Sequence, residues 1–147
     1  ASVHGTAVSM ENASFLPYHA TSSGLATLAF STPAFCDVVL GRDLCVFTAE
    51  TLVNPAQIRA RLDGIRAAGF AETVGLFEED VHTLAVPIFD AEEKCAGAVA
   101  VAAPASRMCP DLRKRILDAL FEGADKIVAL WGAALPETLG KVSANVS

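Results

Sequence analysis

Val81-His82-Thr83-Leu84-Ala85-Val86-Pro87-Ile88-Phe89, Asp90-Ala91-Glu92-Glu93-Lys94 and Cys95-Ala96-Gly97-Ala98-Val99-Ala100-Val101-Ala102-Ala103 are consecutive in the chain. Two apolar runs of strand length flank a charged joint, the pattern of an antiparallel hairpin. Successive strand residues point to opposite faces, so Ala96, Ala98, Ala100 and Ala102 share one face while Val99 and Val101 share the other. A four-alanine face is shallow. It admits either a helix at close approach or a bound ligand, and the residues alone leave both open.

Working outward, Phe70 to Phe77 mixes apolar and polar positions like a further strand. Before it, Asn54-Pro55 opens a helix whose Ile58, Leu62 and Ile65 share a face and which Gly69 stops. Ser31-Thr32-Pro33 signals a shorter helix that ends by Gly41. His19-Ala20-Thr21-Ser22-Ser23-Gly24 finishes in hydroxyl residues suited to capping, and Leu25, Leu28 and Ala29 follow at helical spacing. Ser2 to Ser9 alternates around Val3 and Val8 as a short strand before a turn at Glu11-Asn12. Downstream, Pro110 opens a long helix in which Ile116, Leu120, Phe121, Ala124, Ile127, Val128, Trp131 and Leu135 form a stripe, ended by Pro136. The stripe is wide enough to cover a sheet and leave a second face for a subunit contact. Helices and one antiparallel sheet in this order make an α+β domain.

The length of 147 residues suits one domain. With 52% hydrophobic and 19% charged residues, the chain can bury a core and is not disordered. Its net charge of -6 argues against a nucleic-acid-binding surface, which needs clustered cations. Arg107, Arg113, Lys114 and Arg115, the densest basic group, read as a solvated helix start. Mean hydropathy is +0.42, yet the longest uncharged apolar runs, Cys95 to Ala105 and Ile127 to Pro136, are too short to span a bilayer. No basic segment precedes an apolar stretch at the N-terminus, so a cytoplasmic protein is expected. Cys36, Cys45, Cys95 and Cys109 form no CxxC pair and are expected to be four reduced thiols, mostly packed as small hydrophobes. A lone His82 on a strand and His19 beside a cap do not make a metal site, and no cofactor is expected. The sequence has no Gly-rich phosphate loop, His-Glu-x-x-His or Gly-x-Ser-x-Gly, and no thiol with a positioned base, so it does not read as an enzyme.

Five segments in register carry a resemblance: Pro17-Tyr-His-Ala-Thr-Ser-Ser-Gly-Leu-Ala-Thr-Leu-Ala29, Ile65-Arg-Ala-Ala-Gly-Phe-Ala71, Ala85-Val-Pro-Ile-Phe-Asp90, Gly97-Ala98 and Pro104-Ala-Ser-Arg107. In order and spacing, from about Pro17 to Gly140, the chain resembles the effector-binding domain of IclR-type transcriptional regulators. The resemblance implies a GAF-like antiparallel sheet flanked by helices, a small-molecule pocket, and a homodimer or homotetramer. It also implies control of transcription through a winged helix-turn-helix domain that normally precedes this one. Residues 1–147 are thus expected to be a single effector-binding domain, shortened at its start and lacking the DNA-reading part.

The opening of a helix presents unpaired N–H groups and partial positive charge, so Thr21, Ser22, Ser23 and Gly24 make a seat for a carboxylate, although capping alone explains hydroxyl residues there. The resemblance puts effector contacts at this turn and on the next helical face, at Ser22, Ser23, Gly24, Leu25 and Leu28. On the hairpin, Thr83, where relatives often carry a Cys or another small residue, is read as a remaining polar contact, together with the family positions Ala100 and Ala102. Relatives often carry hydroxyls at the last two positions, so their loss here favours a more apolar organic or aromatic acid. An ungapped count sets Thr73, Val74, Gly75 and Leu76 over the family's acidic patch and Asp80 over its glycine. Glu78 and Asp80 then read as solvated loop charges. The alternatives are a GAF-like dimerisation or interaction module without ligand and a small-molecule-processing enzyme.

Overall fold

Each of the first three helices begins where a short polar side chain closes the opening turn. Thr21 accepts from the Gly24 N–H, Thr32 from the Phe35 N–H, and Asn54 from the N–H groups of Ala56 and Gln57. Such caps satisfy backbone donors that have no partner inside the helix. The structure, a computed structural model, describes residues 17–133. Over these the elements are α1 (Ser22–Ala29), α2 (Pro33–Leu40), α3 (Pro55–Ala68), β1 (Ala71–Val74), β2 (Val81–Phe89), β3 (Cys95–Pro104) and α4 (Pro110–Ala133), with a 3-10 turn at Ala105–Arg107. The expected strand at Ser2 to Ser9, the Glu11-Asn12 turn and Leu135 lie outside the described residues, as does the side chain of Trp131. Gly69 ends α3 in the left-handed conformation, φ 86°, with its N–H on the Ile65 carbonyl, as a glycine cap does.

The sheet runs in the order β1-β2-β3, antiparallel throughout. The Ala85↔Ala71 and Ala85↔Ala100 pairings set the register. Alternation then gives one face Ala71, Thr73, Thr83, Ala85, Pro87, Ala98, Ala100 and Ala102, and the other Glu72, His82, Leu84, Val86, Ile88, Val99 and Val101. The first face carries α1, with α3 behind it: Leu25, Leu28, Ile58, Leu62, Ala71 and Ala85 form one buried cluster, against which Ala98 and Ala100 pack. The second carries α4, whose Leu120, Ala124 and Ile127 meet Leu84, Val86 and Ile88. Burying such a leucine or isoleucine side chain stabilises by about 1.5–3 kcal/mol. The shallow alanine wall is therefore where a helix comes close. Small residues on the sheet are what allow α1 to do so.

Three expectations need correction. The strand read from Phe70 to Phe77 contracts to Ala71–Val74, because Gly75 turns the backbone at φ 71° and the carbonyls of Gly75 and Leu76 accept from the hydroxyls of Thr48 and Thr51. Only Cys36 is packed as a buried hydrophobe; Cys95 is half-buried, while Cys45 and Cys109, in connections, are exposed, and all four are free thiols. Finally, the basic group before and within α4 is not simply solvated. Arg113 lies against the sheet on Glu72, whereas Lys114 and Arg115 pair along the helix with Asp118 and Asp111.

Candidate functional site

The helix α1 packs on the small-residue face of β2 and β3, with Leu25 and Leu28 in the cluster that Ala98 and Ala100 pack against. Ser22 is buried, 3% exposed, Ser23 is half-buried, and Gly24 is buried. Of the N–H groups at this helix start, that of Gly24 is already taken by Thr21 Oγ1 at 3.1 Å, and the same hydroxyl donates to the Pro17 carbonyl at 3.0 Å. Thr21 thus performs the capping role, and any anion seat is left to the Ser22 and Ser23 end of the turn. Leu25 and Leu28 are both 1% exposed and belong to the core beneath α1 together with Ala100.

Thr83 faces Ala102 across the β2–β3 pair and Thr73 across the β1–β2 pair. Its hydroxyl is hydrogen-bonded to that of Thr73. A hydroxyl pair set in an otherwise alanine-lined face is the polar element of this surface. Ala102 is exposed and Ala100 half-buried. The structure therefore joins Leu25, Leu28 and Ala100 in one cluster and Thr83 with Ala102 in one strand pair, with Ser22, Ser23 and Gly24 at the mouth of α1.

Sequence reading missed two groups of contacts, one near this region and one on the opposite face. His19 Nε2 donates to the Cys45 carbonyl at 2.8 Å, and its ring lies 5.9 Å from that of Phe47, which in turn meets Phe77 edge-on at 4.9 Å. This aromatic series, with the Thr48 and Thr51 hydroxyls, ties the connection between α2 and α3 to the end of β1. On the opposite face, Arg113 holds the Glu72 carboxylate with two bonds, 2.7 and 2.8 Å, and His82 Nε2 donates to it at 2.7 Å. The Arg113 guanidinium, and secondarily His82, hold the Glu72 carboxyl below its ordinary range against the opposing effect of burial. A Thr-x-x-Thr spacing was the available signal for the first group. Glu72, His82 and Arg113 come together only through the register, which no local pattern reveals.

His19 and His82 are thus engaged separately, and among the described residues no group of three His, Cys, Asp or Glu side chains could hold a metal ion. Glu78 and Asp80 are exposed. Asp80 adopts φ 60°, a left-handed conformation that Asp tolerates better than most residues. This is where the ungapped count sets the family's glycine. A groove of about 280 Å³ lies elsewhere, lined by Phe30, Pro87, Phe89, Phe121, Ala124 and Val128 with Arg66, Gly69 and Asp125. None of the sequence-derived site residues borders it.

The family model described as bacterial transcriptional regulator IclR C-terminal matches residues 6–129. The chain belongs to this family. As an IclR C-terminal domain it is similar to the glycerol operon regulatory protein of Streptomyces griseus, 36% identical over 95 residues, covering 65% of this chain and 37% of that protein. Among solved structures it is similar to an IclR transcriptional regulator from Silicibacter sp. TM1040, with a TM-score of 0.76 and 45% identity over 82% of this chain and 48% of that one. It is also similar to an IclR homolog from Microbacterium hydrocarbonoxydans complexed with 4-hydroxybenzoate, with a TM-score of 0.72 and 28% identity over 81% of this chain and 48% of that one. The chain thus spans less than half the length of each of these relatives. They are transcriptional regulators, and the described part of the IclR C-terminal domain has their α+β architecture. No helix among the described residues is long and apolar enough to cross a membrane.

Proposed function

We propose that this IclR C-terminal domain senses a small organic acid, aromatic in class, between the first turn of α1 and the small-residue face of β2 and β3. The observation that carries the reading is the Thr73–Thr83 hydroxyl pair set in the alanine face on which α1 packs. Ser22 and Ser23 meet the carboxylate at the turn that Gly24 allows to close, Thr83 supplies a hydroxyl, and Leu25, Leu28, Ala100 and Ala102 form the apolar wall. The Microbacterium relative's 4-hydroxybenzoate supports the ligand class. Alanine at positions 100 and 102 leaves fewer polar anchors, which favours an acid with an apolar body.

Binding acts by population shift rather than catalysis: an occupied site favours one arrangement of a homodimer or homotetramer. That arrangement sets the spacing of winged helix-turn-helix domains outside these 147 residues, through which DNA is contacted in the cytoplasm. A second reading, an interaction module without ligand, draws on the exposed Phe121 and Val128 of α4.

The test is a thermal-shift screen of benzoate, 4-hydroxybenzoate and short aliphatic carboxylates, with Ser23→Trp as the blocked variant. A ligand at a hundred times its Kd stabilises by about 2.7 kcal/mol, which is readily seen. The reading fails if no acid stabilises the parent, or if the blocked variant responds equally.

A further inference from the structure

We propose that Glu72, His82 and Arg113 are positioning residues that carry the state of the effector face through the sheet to α4, a proposal that rests on Thr83 being part of the effector site. Neighbouring residues of a strand point to opposite faces. Thr73 and Thr83 therefore present their paired hydroxyls to the α1 side, while the residues next to them, Glu72 and His82, present a carboxylate and an imidazole to the α4 side. The two pairs are built on the same two stretches of backbone, one residue apart.

Glu72 is tied in three directions. Its backbone carbonyl accepts from Arg61 of α3 at 2.8 Å, its carboxylate accepts from His82 of β2 at 2.7 Å, and both carboxylate oxygens are held by Arg113 near the start of α4. Arg113 lies over the Phe70 ring, 5.4 Å from its centroid, which fixes the plane of the fork. A change in the separation of β1 and β2 at Thr73 and Thr83, as when a ligand group enters between the hydroxyls, is felt one residue away at bonds with little slack. Such bonds weaken steeply once stretched or bent from these distances. The buried apolar contacts of α4 with the sheet are Leu120, Ala124 and Ile127, further along the helix, while Ile116 and Leu117 nearer Arg113 are only partly buried, so the Arg113 end is the part that a polar link can release.

The experiment is hydrogen exchange read by mass spectrometry on the 147-residue chain, following amides of Leu112 to Leu117, in a cycle of Thr83→Val and Glu72→Gln. Circular dichroism and the melting temperature establish that each variant is folded. Thr83→Val is expected to change exchange at the start of α4 roughly fivefold, the low end of ordinary coupling between sites, and to leave it unchanged when Glu72 is already Gln. Arg113→Met should abolish the response and Arg113→Lys restore part of it. Equal responses in both backgrounds, or none in the parent, overturn the link.

A second arm adds 4-hydroxybenzoate. If the acid raises the melting temperature yet leaves Leu112 to Leu117 unchanged, sensing stands and the link falls. If no acid binds, the effector reading falls while the valine cycle still decides the link.

Discussion

Gly24→Ala should be among the most damaging single-methyl additions in the described part of the chain. A Cβ at this position would come within 2.6 Å of Thr21 Oγ1, 2.6 Å of the Tyr18 Cα and 2.7 Å of the Tyr18 carbonyl oxygen. Two of the three obstacles are backbone, so no side-chain rotation relieves them. The turn from Pro17 to Thr21 must move by about 1 Å to restore ordinary contact. That turn is held by Thr21 to the Pro17 carbonyl, by the Gly24 N–H to Thr21, and by His19 to the Cys45 carbonyl. Overpacking of this kind costs about 1–3 kcal/mol, and loss of the Thr21 cap adds about 1 kcal/mol. Alanine's better helix propensity returns at most about 1 kcal/mol. The net expectation is roughly 2 kcal/mol, or about 6–8 °C in melting temperature for a domain of this size. The assay is urea unfolding of Gly24→Ala beside Gly64→Ala, whose new methyl in α3 meets nothing within 4 Å. Gly64→Ala should be neutral or more stable by up to about 1 kcal/mol. If the two variants unfold together, the close approach of the turn to α1 is wrong, and with it the geometry of the candidate site.

The ionic group on the other face predicts a pH dependence with a definite sign. The folded pKa of Glu72 is lowered by Arg113 and His82 from an ordinary value of 4.5, so its contribution is fully present above about pH 4.5 and is lost as the pH falls from there through the lowered folded value. Urea midpoints of the parent should therefore drop more steeply between about pH 5 and 3 than those of Glu72→Gln. Parallel profiles would show that Arg113 does not hold the carboxylate. At neutral pH the glutamine variant should lose about 1 kcal/mol, a figure reduced because the pair is partly solvated. For the hydroxyl pair, Thr73→Val and Thr83→Val should each cost about 1 kcal/mol, and the double variant less than their sum, since a single change orphans one hydroxyl and the double change orphans none. Strict additivity in chemical denaturation would mean that the two hydroxyls are not bonded to each other.

Much of the fold was legible because its signals are local. Thr32-Pro33 and Asn54-Pro55 opened helices where the residues said they would, and Gly69 closed one. The charged joint Asp90 to Lys94 separated two strands whose alternation correctly divided Ala98 and Ala100 from Val99 and Val101. The end of β1 was not legible, because Thr48 and Thr51 take the carbonyls of Gly75 and Leu76 from a distance of 25 or more residues. The same reason hid the role of Arg113, which looked solvated because its partner Glu72 lies 41 residues away. Around the candidate site, the hydroxyls at the start of α1 were readable as a cap or a seat. Only the folded geometry assigns the cap to Thr21 and thereby leaves Ser22 and Ser23 for other work.

The division of labour between the two faces follows from residue size. On β2, Leu84, Val86 and Ile88 point at α4 and make a cluster of large side chains that interlock with Leu120 and Ile127. Such packing resists displacement, since each lost methylene contact costs in transfer and in cavity. Thr83, Ala85 and Pro87 point the other way, toward α1, where small partners hold the helix by close approach. Large side chains are still buried on that side, since Leu25 and Leu28 of α1 share a core with Ile58 and Leu62 of α3, so this face too resists displacement. The alanines of β3, shallow when read as sequence, are what let α1 approach closely enough to bury Leu25 and Leu28.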